Sequence, residues 1–62
     1  MVTVTYQGKR YAFEGKVDGF KILRELGLRE EEVLLVKDGK LLPLDQPLQR
    51  GEVKVIPVVS GG

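Results

Sequence analysis

The chain opens on a regular alternation. Val2, Val4 and Tyr6 fall on one parity and Met1, Thr3 and Thr5 on the other, the period-two pattern of a strand with one buried face. Gln7-Gly8-Lys9 supplies a turn and Arg10-Tyr11-Ala12-Phe13-Glu14 resumes the alternation, so residues 1–14 are predicted to form a β-hairpin. The period then changes. Asp18 is placed to cap a short helix whose apolar residues Phe20, Ile22, Leu23 and Leu26 fall mostly on one face, and Gly27 stands where such a helix stops. Gly19, in the first turn, counts against helix propensity. Glu30-Glu31-Glu32 reads as a solvated turn or helical stub.

The second half begins with Val33-Leu34-Leu35-Val36-Lys37 and returns through Lys40-Leu41-Leu42, with Asp38-Gly39 between them suited to the left-handed angles of a type I′ hairpin turn. Pro43 and Pro47 bracket a polar loop around Asp45 and Gln46. Gly51 precedes a last strand from Glu52 to Val59, in which Val53 and Val55 alternate with Glu52 and Lys54. The predicted order is strand, strand, helix, strand, strand, strand. One helix covers only one face of such a sheet, which makes a two-layer α+β domain with a mixed sheet of about five strands.

Composition sets the bounds. With 62 residues, 42% of them apolar and 31% charged, the chain reads as a single folded domain, residues 1–62, with a flexible tail over about 58–62. Ten basic residues against nine acidic ones give a net charge of +1, which makes no general case for nucleic acid or an anionic membrane. No stretch is apolar enough to span a bilayer and the N-terminus does not resemble a signal peptide, so the expected location is cytoplasmic. Zero cysteine and zero histidine exclude thiol catalysis, disulfides, the usual zinc sites and Ser-His or Cys-His nucleophiles. The expectation is therefore not an enzyme, and no metal site. Few residues are thermolabile and Lys, Arg and Glu dominate the polar set, which leans toward a thermophilic source.

The chemically distinctive residues come last: Val58-Val59-Ser60-Gly61-Gly62. Without Cβ atoms, Gly61 and Gly62 fit a channel too narrow for any side chain, and a carboxylate on Gly62 is a candidate reaction handle. Ser60 has no histidine to act as its base and reads as a small residue that keeps the approach narrow, together with Val59.

Taken in order, the Asp38-Gly39 turn, the Gly51-Glu52-Val53-Lys54-Val55-Ile56-Pro57 approach and the Val59-Ser60-Gly61-Gly62 end resemble the ubiquitin-like β-grasp sulfur carriers over the whole chain. These include the thiamine-pathway carrier, the molybdopterin synthase small subunit and the carriers for tRNA 2-thiolation. The resemblance implies a sulfur-carrier protein with no bound cofactor. A ubiquitin-activating-like enzyme would use ATP to adenylate Gly62, a persulfide donor would convert it to a thiocarboxylate, and a sulfur-accepting synthase or tRNA thiolase would take the sulfur. Direct contact with nucleic acid is not implied. The Tyr6-Gln7-Gly8-Lys9 hairpin and the Ile56-Pro57-Val58 approach look like thermophile and archaeal carriers of the tRNA branch, with thiamine thiazole synthesis the other outlet. A protein modifier joined through Gly62 to target lysines shares every one of these features, and an inert β-grasp interaction domain remains the third reading.

Parity suggests where a partner would dock. If Val2, Val4, Tyr11, Phe13, Leu34, Val36, Val53 and Val55 face the helix, then Leu35, Ile56 and Val58 fall on the uncovered face, as an apolar partner-binding cluster beside the tail. Lys37, Lys40, Arg50 and Lys54 are candidates for its polar rim.

Overall fold

The computed structural model describes residues 1–58, and the tail residues Val59, Ser60, Gly61 and Gly62 lie outside that range. Strand β1 (Val2–Tyr6) turns into β2 (Lys9–Phe13), followed by helix α1 (Gly19–Leu26), a 3₁₀ turn (Glu30–Glu32), β3 (Val33–Lys37), β4 (Lys40–Leu41) and β5 (Gly51–Pro57). The five strands form one sheet in the order β2-β1-β5-β3-β4. β1 and β5 are parallel, while β1–β2, β3–β5 and β3–β4 are antiparallel. This is the expected α+β ubiquitin-like β-grasp, with the helix on one face of a mixed sheet.

Both hairpins are closed by two residues with positive φ, Gln7 (48°) with Gly8 (80°) and Asp38 (54°) with Gly39 (76°). That is the type I′ geometry whose twist matches paired strands. Lys9 therefore belongs to β2, opposite Tyr6, and not to the turn. β5 starts at Gly51 and stops at Pro57, earlier than the alternation suggested.

The Asp18 carboxylate accepts from the Lys21 backbone N–H at 2.9 Å and caps the N-terminus of α1. At the other end Gly27 adopts φ 72°, ψ 31°. Its N–H donates to the Arg24 carbonyl at 3.2 Å, and Leu28 N–H donates to the Leu23 carbonyl at 2.9 Å, the paired bonds of a Schellman cap. The buried stripe of the helix is Gly19, Ile22 and Leu23, with Leu26 half-buried beside them, at i, i+3, i+4 and i+7. Phe20, expected on the apolar face, sits one position off this stripe and is exposed. Gly19 takes the place next to the sheet instead. A Cβ there would come within 2.7 Å of Leu44 Cδ2, 2.8 Å of Leu35 Cδ1 and 2.9 Å of the Leu44 Cα. The residue that weakens the helix locally is thus what lets it approach β3 and the following loop.

The core joins Ile22 and Leu23 of the helix to Val2, Val4, Val53 and Val55 in the middle of the sheet. Tyr11 and Phe13 pack at its margin, half-buried. Full burial of side chains of this size stabilises by roughly 1.5–3 kcal/mol each relative to exposure. Val17 and Leu48 close one end of the core, bridging with hydrogen bonds of 2.8 and 2.6 Å.

In β3 the phase is opposite to expectation. Val33 and Leu35 are buried, and Leu34 is 45% exposed. The run Val33-Leu34-Leu35-Val36 has no polar residue to mark a face, so local sequence cannot phase it. Pairing with β5 does, by setting Leu34 opposite Ile56 and Leu35 opposite Val55.

Two stability measurements follow. Gly19→Ala is expected to lower the urea-unfolding midpoint by an amount equivalent to about 1–3 kcal/mol despite better helix propensity, because backbone as well as side chains must move. Leu35→Ala should cost about 2–5 kcal/mol in the same assay, whereas Leu34→Ser should stay within about 0.5 kcal/mol of the parent. The reverse ranking would restore the original phase of β3.

Candidate functional site

The site begins where β5 leaves the sheet. Past Pro57, which pairs with Val33, the Val58 N–H donates to the Glu32 carbonyl at 2.8 Å. The chain therefore departs beside the 3₁₀ turn, held by a main-chain bond that depends on no particular side chain. The five residues from Val58 to Gly62 follow directly.

Alternation along the strands sorts the face away from the helix. Thr3 and Thr5 of β1, Glu52, Lys54 and Ile56 of β5, and Leu34 and Val36 of β3 share it, in register. Leu41 of β4 joins the row of Val36. The face is divided: its β1–β2 side carries Thr3, Thr5 and Arg10, and its β3–β4 side carries Leu34, Val36 and Leu41. Ile56 is 44% exposed and lies opposite Leu34, one row before Val58, itself 45% exposed.

Of the residues expected in this cluster, Ile56 and Val58 are exposed and close to the departing tail. Leu35 is not part of it, since its side chain lies in the core at 3% exposure and contributes packing alone. Leu34 occupies the place assigned to Leu35. The missing signal was the β3–β5 register, for which an unbroken apolar run gives no cue. Leu41 was missed because a two-residue strand leaves too little alternation to read.

Of the expected rim, Lys54 is on this face in the row of Val36. Lys37 has the parity of Leu35 and so belongs to the helix side, with Lys40 opposite it. The Lys37 Nζ sits 3.0 Å from Asp38 Oδ2, and its Cε lies 2.8 Å from where a Cβ on Gly51 would be. Arg50 lies just before β5. Arg10 reaches over β1 to Glu52, with Nη2 and Oε1 4.0 Å apart; both are well exposed, and such pairs contribute about 0–1 kcal/mol.

Among the described residues there is no cluster of three or more carboxylate, cysteine or histidine side chains placed to hold a metal ion. Nor is any helix there long and apolar enough to cross a membrane. The residues assigned to the chemistry itself, Gly61 and Gly62, and their neighbours Val59 and Ser60 lie outside the described range. What the described part offers is an apolar surface beside the point where the chain leaves β5.

The sequence is similar to an uncharacterized protein of Archaeoglobus fulgidus, at 41% identity over 61 residues covering 98% of this chain and 79% of that protein. The family described as Small archaeal modifier protein 2 matches residues 2–59, nearly the whole domain including the approach to the tail. With the β-grasp topology and the exposed strip on β3 and β5 beside the tail, the chain belongs to the ubiquitin-like Small archaeal modifier protein 2 family.

Proposed function

We propose that this protein is a sulfur carrier that works through the carboxylate of Gly62, activated by a partner enzyme and passed on as a thiocarboxylate. The observation that carries the reading is the position of Leu34 and Ile56, an exposed cross-strand pair one row from Val58, immediately before a sequence that narrows to Ser60-Gly61-Gly62. A docked enzyme would meet the apolar pair and the tail together. A carboxylate is anionic and resonance-stabilised, and is a poor acyl donor until it carries a leaving group. In the first step a Gly62 oxygen attacks the α-phosphate of ATP and pyrophosphate leaves. In the second, a persulfide sulfur displaces AMP, and a thiol then reduces the acyl disulfide to the thiocarboxylate. The carrier contributes position, and Gly61 and Gly62 keep the approach free of side chains.

tRNA 2-thiolation is the proposed outlet, with thiamine thiazole synthesis next; the modifying enzyme and not the carrier would hold the RNA. The family description favours a second reading, in which a target lysine attacks the activated Gly62 and an isopeptide bond forms. The two readings share the activation step and part at the nucleophile.

Intact-mass spectrometry after incubation with ATP, an adenylating enzyme from the source organism and a persulfide donor should show one oxygen replaced by sulfur on Gly62. Gly61→Val should abolish the gain with the fold intact, and Ile56→Asp should slow it about tenfold or more through weaker docking. Conjugation would be read differently: Lys54 is the last basic residue, so trypsin would leave residues 55–62 attached to the modified lysine. No sulfur gain with an enzyme active on another carrier, together with such adducts, would replace the first reading by the second.

A further inference from the structure

A second apolar surface lies at the outer edge of β3. The β3–β4 ladder ends with the Leu42 N–H donating to the Leu35 carbonyl at 2.8 Å. By alternation the next N–H facing β3 would be that of Leu44. The chain turns away there, with the Gln46 N–H on the Pro43 carbonyl at 3.2 Å and the Gly19 N–H on the Leu44 carbonyl at 2.8 Å. β4 therefore covers only the later part of β3. Beside the earlier part runs a groove of about 350 Å³, lined by Val33, Leu34, Leu41, Pro43 and Leu44 among others, with Glu30 as its only charged lining residue among the described residues. The Leu35 carbonyl points to the β4 side, so alternation turns the backbone N–H and C=O of Val33 the same way, along the groove.

We infer that this groove binds an extended segment of a partner protein, with alternate apolar side chains in the groove and a lysine or arginine of the segment beside Glu30. The extended form follows from the strand edge, where an added backbone at ladder spacing continues the sheet. The apolar side chains follow from the lining. The cation follows from Glu30, Glu31 and Glu32, all exposed in one turn and outside the two ion pairs of the described residues. A second copy docking through the same surface is disfavoured, because the lining contains no basic residue to face the partner's glutamates. This surface shares Leu34 with the open face but does not depend on Gly62.

The test is an amide NMR titration of the full chain with two capped peptides, Lys-Leu-Val-Leu-Ser-Lys and Glu-Leu-Val-Leu-Ser-Glu. The lysine peptide is expected to shift the amides of Val33, Leu34, Leu41 and Leu44 and to bind about two- to fivefold more tightly than the glutamate peptide, the range of one exposed charge pair. Glu30→Gln should narrow that difference, and Leu41→Ser should weaken both peptides, each with an unchanged unfolding midpoint. The inference is overturned if those amides do not move, if both peptides bind equally, or if shifts are confined to Thr5, Lys54 and Ile56. Concentration-dependent shifts at the groove without peptide would also overturn it, by assigning the surface to a second copy.

Discussion

β5 lies between β1 and β3, parallel to one and antiparallel to the other, and so joins two hairpins that share no ladder of their own. Its inward residues Val53 and Val55 meet Val2, Val4, Leu35 and Ile22 in the centre of the core. A slip of one residue would drive Glu52 and Lys54 into that core and expose both valines. Register on both sides of β5 is therefore specified strongly, and it decides which side chains every other strand presents. Because β5 pairs Gly51 with Val2, this contact spans most of the chain and carries a high loop-closure cost in folding.

With a single helix among the described residues, these leave one face of the sheet open. Threonines and a bridging Arg10–Glu52 pair keep its β1–β2 side polar, whereas the β3–β4 side is apolar. The outer strands differ in the same sense. β2 carries Lys9 and Arg10 at its start, charges that discourage a further strand from adding to an edge. β4 is stopped after two residues, shortly before Pro43, and leaves part of β3 uncovered beside the glutamate turn. Both apolar surfaces meet at Leu34, which pairs with Ile56 on the open face and also lines the groove.

Much of the architecture was legible because it is encoded locally. Gln7-Gly8 and Asp38-Gly39 specify their turns by accepting positive φ, and Asp18 and Gly27 specify the ends of the helix by satisfying its free backbone groups. Val2 and Val4, like Val53 and Val55, announce their face because polar residues separate them. The reading of Gly61 and Gly62 also came from sequence, through what a side chain would prevent.

Other features depend on partners distant in the chain. Whether Leu34 or Leu35 faces the core is decided by Ile56 and Val55 across the ladder. Gly19 is explained only by Leu44 and Leu35 lying against it, and that approach rotates Phe20 outward. The Val17–Leu48 bridge and the Pro43 groove arise where segments far apart in sequence are packed side by side. The sequence by itself thus determined the turns, the caps and the alternating strands, each of which a few neighbouring residues satisfy. Only the tertiary structure decided the phase of the apolar run and the shape of the surfaces beside it, because side-chain burial there is fixed by register and close approach between distant elements.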